Sequence, residues 1–266
     1  MELNERDMKT GTPDNSVLSP AAKMLADNSV PTVYDGSGIC GIAFGDNAWQ
    51  IGDDEIKNGL IIDIRAAEIL QRRGIDVGIE EIGAAAGKSC EHFLKQNEWI
   101  TISVSARELK LKESAEVISK FYDDIDGMDG ELPAVYLYRN DNGQKFAVYN
   151  FDSHSEGMRN DSGLFRSYAR SRQLAQICRW LSGSRLSAHT SGNPDVYVMT
   201  KKSENEMAVG LWNCFADTVY AAEVILEHAF DKIEFICCKG RLCGDKVYVD
   251  EIPPFSFAGF AVKSNG

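Results

Sequence analysis

Between Gly59 and Gly74 the hydrophobic pattern changes period within a few residues, and this change constrains the fold more than any other feature of the chain. The apolar run Leu60-Ile61-Ile62 ends at Asp63, whose short carboxylate suits a helix N-cap, and Gly74 stands where a helix would hand over to a left-handed residue. Between them Ala66, Ile69, Leu70 and Arg73 fall at helical spacing, and the small Ala66-Ala67 pair permits close approach to a sheet. This is a strand-to-helix unit. The alternation in Ile75-Asp76-Val77-Gly78-Ile79 predicts a following strand, completing a βαβ-like pattern. Just upstream, Asp53-Asp54-Glu55-Ile56 predicts a short helix, because acidic side chains occupy the turn that carries the positive end of the helix dipole.

Farther on, Trp99–Ser105 and Ala134–Arg139 are β-patterned, and Asn140-Asp141-Asn142-Gly143 supplies residues that tolerate positive φ before Lys145–Phe151. That is a hairpin. A helix is predicted over Ser167–Ser182, stopped by Gly183. After Ser191-Gly192-Asn193-Pro194 the character shifts: Val196–Thr200, Met207–Trp212, Val219–Leu226, Lys232–Cys238, Lys246–Val249 and Phe255–Val262 arrive at short intervals with no helical pattern between them. The predicted organisation is a polar tail over 1–30, an α/β domain over 31–192, and a small all-β antiparallel sandwich over 193–266.

Charge narrows the partners. The chain has 28 basic and 40 acidic side chains, a formal charge of −12, and its basic residues cluster no further than doublets such as Lys201-Lys202 and Arg72-Arg73. Phosphate backbones and anionic membrane surfaces need a basic footprint, so nucleic acid and membrane are excluded as partners. The polar start and the absence of a long apolar run predict a cytoplasmic chain without signal peptide or membrane span. Seven scattered cysteines in such a chain are read as reduced thiols.

Cys237, Cys238 and Cys243 form the densest cysteine group. No CxxC pair exists, and adjacent residues of a strand point to opposite faces, so no metal and no cofactor is assigned. Gly87-Lys88-Ser89 lacks the upstream glycine of a phosphate-binding loop, and the acidic pairs Glu80-Glu81 and Asp123-Asp124 read as solvated surface. Gly38-Ile39-Cys40-Gly41 with His154-Ser155-Glu156 is similar to the nucleophile elbow and His-x-Glu pair of class I glutamine amidotransferases. The elbow's second glycine is replaced by Ile42. Cys40, His154 and Glu156 are therefore the alternative catalytic set, against a leading reading in which no residue is catalytic. Trp99, Tyr197 and Trp212 have the ring chemistry to stack on a sugar, with core packing expected for Trp212.

Four stretches carry a wider resemblance: Asn58–Gly74, Ser167–Gly183, and Ala208–Asn213 with Gly244–Ala258. In this order they resemble the C-terminal half of bacterial glycoside hydrolases of the β-galactosidase type. There a catalytic (β/α)₈ barrel is followed by an amidotransferase-like α/β domain that performs no amidotransfer and often mediates trimerisation, then by a small β-domain. The resemblance implies an amidotransferase-like, flavodoxin-like sheet over the α/β part. It implies no catalytic carboxylate, because the acid and nucleophile of such enzymes lie on the barrel. The expected function is accessory, in self-association or in shaping a carbohydrate site with a catalytic barrel module as partner. The alternatives are a cysteine-dependent amidotransferase-like hydrolase and a carbohydrate-binding module in the C-terminal β-domain.

Overall fold

The computed structural model describes residues 3–5, 20–33, 38–126, 129–154, 162–193 and 196–264. The chain forms two compact units, one of Asn4–Lys23 with Cys40–Phe165, the other of Met1–Leu3, Met24–Ile39 and Arg166–Gly266.

In the first unit seven strands are designated β1 (Cys40–Ala43), β2 (Leu60–Asp63), β3 (Ile79–Phe93), β4 (Glu98–Leu111), β5 (Glu116–Tyr122), β6 (Leu132–Arg139) and β7 (Lys145–Tyr149). They hydrogen-bond in the order β1-β2-β7-β6-β5-β3-β4. Among these seven, β1, β2 and β7 are parallel, and the remaining pairings are antiparallel. The flavodoxin-like expectation requires parallel strands joined by helices throughout, so the sheet is mixed rather than flavodoxin-like. The reason lies after Gly74. Gly78 takes φ +86°, and a Cβ there would lie 2.6 Å from the Tyr138 ring, so the chain turns tightly at this point. Ile75–Val77 stays irregular, and β3 then runs out 15 residues to pair with β4 as a long hairpin.

The strand predicted over Ile75–Ile79 thus does not form, while the predicted helices and hairpin do. Helix Asp53–Ile56 forms, and Ile64–Arg72 is capped by Asp63, whose side chain accepts from the Ala66 N–H. Its buried face, Ala66, Ala67, Ile69 and Leu70, packs in one core with Ile62, Val148 and Tyr136 from the sheet. The predicted hairpin is β6–β7, with Gly143 at φ +79° and the Asn140 side chain accepting from the Asn142 and Gln144 N–H groups.

In the second unit the helix Tyr168–Ser182 begins at an N-cap, Ser167, and ends at Gly183 in the left-handed conformation. Eight strands follow: β8 (Ala188–Thr190), β9 (Val196–Lys202), β10 (Glu206–Asn213), β11 (Val219–Leu226), β12 (Lys232–Ile236), β13 (Gly240–Cys243), β14 (Lys246–Ile252) and β15 (Phe257–Lys263). They make two four-stranded antiparallel sheets, β8-β11-β14-β13 and β9-β10-β15-β12. Alternate residues of both sheets, among them Val209, Leu211, Val224, Val249 and Phe260, share one core.

Two expected boundaries fall differently. Within 1–30, Pro20–Asp27 is helical with Met24 and Leu25 fully buried, and eight residues are too few to display a period in the sequence. The unit that holds the two small sheets also starts before residue 193. β8 pairs with β11, and Ser29 is tied in through its hydroxyl to the Asn193 carbonyl at 2.9 Å and through the Thr190 hydroxyl at 2.7 Å. Among the described residues no helix is long and apolar enough to cross a membrane.

Candidate functional site

In an α/β sheet the place to look for chemistry is the carboxyl end of the parallel strands. Here β1 is followed by Gly45, β2 ends on Asp63, and β7 leads into Asp152-Ser153-His154. Asp63 is fully buried. Its Oδ1 accepts from the Gly45 N–H at 2.9 Å and the Ala66 N–H at 2.8 Å; its Oδ2 accepts from the Ser153 N–H at 3.1 Å and the Ser153 hydroxyl at 2.5 Å. Burial pushes the Asp63 carboxyl above the usual carboxylate range, and the hydrogen bonds from Ser153, Gly45 and Ala66 oppose that rise.

His154 extends this chain outward. Its Nδ1 lies 3.0 Å from the Ser153 hydroxyl oxygen, and its ring rests on Gly45, where a Cβ would stand 2.4 Å from Nδ1. Gly45 has φ +59°, so both the turn and the contact call for glycine. The order is acid, hydroxyl, imidazole. In a hydrolytic triad the imidazole takes the hydroxyl proton and the acid orients the imidazole. Here the Ser153 proton is directed at Asp63, so the hydroxyl is not primed as a nucleophile.

Asp63, Asp152 and His154 bring candidate ligand atoms within 4.8 Å of one another. Asp63 does not suit a cation, because four donors already occupy its two oxygens.

The sequence singled out Cys40 with this His154, and the fold places them apart. Cys40 is buried and opens β1, beside Gly59 at the start of β2. At about 3.3 Å per residue it stands roughly 10 Å before Ala43, while His154 packs past the strand's other end. An elbow nucleophile projects at the carboxyl end of its strand, and Cys40 does not. Glu156 lies outside the described residues. Sequence reasoning identified Asp63 as a cap but missed Gly45 and Ser153 as its further donors, since a contact across 90 positions leaves no local signal.

The cysteine group also resolves. The predicted strand Lys232–Cys238 stops at Ile236, because Cys237 turns with φ +57°; the Cys238 thiol lies 3.2 Å from the Gly259 carbonyl oxygen. Lys88 is held 2.6 Å from Asp123 with its side chain 5% exposed, as an ion pair within the sheet. Trp99 stacks on His92 at 4.2 Å.

Trp212 departs from the core-packing expectation. Met207, Val209 and Leu211 point inward, so the two-residue alternation sends Trp212 outward, where it is 45% exposed. Register aligns Tyr197, Trp212 and Phe257 across β9, β10 and β15, and the next outward row holds exposed Met199, Gly210, Gly259 and exposed Ile236. Phe257 lies over the two glycines, where Cβ atoms would come within 3.0 Å and 2.9 Å of its ring. The other sheet carries charged groups on its outer side, with Lys246 paired to Glu223 at 2.8 Å and Arg241 over the Tyr248 ring, beside the exposed Tyr220. One face of this unit is thus aromatic and apolar, the mark of a contact surface.

No protein-family model matches the chain, and no curated protein matches it by sequence. Solved structures do match. α-L-Fucosidase isoenzyme 2 from Paenibacillus thiaminolyticus superposes with a TM-score of 0.61 at 11% identity, over 100% of this chain and 49% of that one. Gan42B, a GH42 β-galactosidase of G. stearothermophilus, superposes with a TM-score of 0.53 at 12% identity, over 98% of this chain and 40% of that one. In fold, the chain is similar to part of a glycoside hydrolase. It spans half or less of the length of these enzymes, as the resemblance of its sequence to their C-terminal half leads one to expect.

Proposed function

We propose that this chain is a non-catalytic, accessory part of a glycoside-hydrolase-like protein, acting in self-association or in shaping a saccharide site that a catalytic barrel module supplies. The observation that carries the reading is the Asp63–Ser153–His154 chain. The position where an α/β domain would build its reactive centre is spent on closing loops, with the acid saturated and the cysteine at the far strand end. On this reading the 40–165 unit is an amidotransferase-like domain without the amidotransferase nucleophile. Likeness to part of two glycosidases supports the carbohydrate context. The test is a panel of aryl glycosides with the purified chain: no turnover is expected, and robust turnover abolished by a single carboxylate substitution overturns the proposal.

The outward row of Tyr197, Trp212 and Phe257, with Trp212 exposed and the other two half-buried, favours a second reading, carbohydrate binding by the β-unit, since aromatic faces stack on the C–H faces of pyranose rings. Oligosaccharide titration by calorimetry checks it. Binding that persists in Trp212→Ala, or no binding at all, removes it.

A further inference from the structure

The helix Ile64–Arg72 and the long β3–β4 hairpin enclose an open groove of about 690 Å³, lined by Glu68, Gln71, Arg72, Ile82, Gly83 and Arg107. Cations elsewhere on this helix are engaged. Arg65 pairs with Asp46 at 3.1 Å and Glu68 at 3.7 Å, and the Arg73 guanidinium donates to the Ala48 and Ile51 carbonyls at 2.6 and 2.7 Å. The Arg72 and Arg107 guanidinium groups have no hydrogen-bond or ion-pair partner among the described residues, although the chain carries 40 acidic against 28 basic side chains.

Both are mounted on fixed backbone. Arg72 ends a helix capped by buried Asp63, and Arg107 is held by Asn150, whose amide accepts from the Arg107 N–H at 3.0 Å and donates to its carbonyl at 2.7 Å. Two planar guanidinium forks on one groove suit an oxyanion, which each can grip in bidentate fashion. The remaining polar groups are acceptors. Gln71 donates its amide to the Ile79 carbonyl at 2.7 Å, which leaves its own carbonyl oxygen, and Glu68 adds a carboxylate. Acceptors call for hydroxyl donors, and a lining of two positive groups against one negative fits a single oxyanion rather than a polyphosphate.

We infer that this groove binds a small polyhydroxylated molecule bearing one oxyanion, such as a sugar phosphate or a sugar acid. The inference stands apart from the accessory reading and does not depend on it. Calorimetry on the full chain with glucose 6-phosphate, glucuronate, glucose and inorganic phosphate tests it. Glucose 6-phosphate, glucuronate or both should bind, which separates the phosphate from the carboxylate source; glucose should not, and inorganic phosphate should bind at least about tenfold more weakly than the better sugar. Arg72→Ala and Arg107→Ala should each weaken binding by about tenfold or more, as loss of a charge-assisted hydrogen bond does. Neither guanidinium is tied to the fold, so both variants should keep the parent melting temperature. Equal binding of glucose, phosphate binding as tight as the better sugar, binding that survives the double substitution, or no binding of either acidic sugar overturns it.

Discussion

His189 shows what a single side chain imposes on this protein. It lies on β8 opposite Ile225, between the buried Ala188 and Thr190, and its Nδ1 is buried without a hydrogen-bond partner. Burial, aided by the nearby Arg185 charge, holds its pKa down at about 4. The native state therefore keeps it neutral to about pH 4, while the unfolded chain takes up a proton near pH 6.5. Between these values the unfolded state binds more protons, so stability falls as pH drops through that window, by about 3 kcal/mol at most. Denaturant midpoints at pH 7 and pH 4.5 should separate for the parent chain and draw together in His189→Gln. An unchanged pH slope in the variant would refute this account. Asp63, Gly143 and Gly183 were legible at this scale because a cap or a positive φ is satisfied within a few residues of its own position. His189 was not, because its burial depends on strands that join it from far along the chain.

Among the elements, the helix Tyr168–Ser182 and the β6–β7 hairpin follow from sequence almost to the residue. Both have local start and stop chemistry. The Ser167 hydroxyl accepts from the Arg170 N–H at 3.0 Å, and Ser167→Ala should cost about 1 kcal/mol, read as a lowered denaturant midpoint with an unchanged slope. A loss close to zero would mean that water replaces the cap. The β3–β4 hairpin was hidden for the opposite reason. Ala84-Ala85-Ala86-Gly87 has weak strand propensity, and the pairing includes register shifts between Ile79/Glu81, Ile82/Ala85 and Lys88/Cys90 that alternation cannot anticipate. In β10 the alternation was readable but its phase was not, and phase decides that Trp212 faces outward.

At the level of the whole molecule, the β-unit gains an edge strand from before the apparent boundary. A fragment 193–266 lacks β8 and leaves β11 paired only with β14, its other edge open at Val224–Leu226, whereas 184–266 retains both pairings. The shorter fragment should be less stable by on the order of 2 kcal/mol, the net worth of a few backbone hydrogen bonds, as thermal or urea unfolding of the two will show. Equal stability would place β8 outside the cooperative unit.

The sequence by itself determined where helices and hairpins begin and end, that strand-to-helix packing precedes a run of short antiparallel strands, and that the chain resembles part of a glycoside hydrolase. These rest on caps, turns and periodicity, whose partners are a few residues away. Only the tertiary structure decided that β1, β2 and β7 run parallel while the strands from β7 through β4 pair antiparallel, that Cys40 and His154 sit at opposite strand ends, and that Asp63 is saturated by donors from Gly45 and Ser153. Such facts depend on strand order and on contacts between positions tens of residues apart, and the free energy that selects them comes from burial across the whole core rather than from any local pattern.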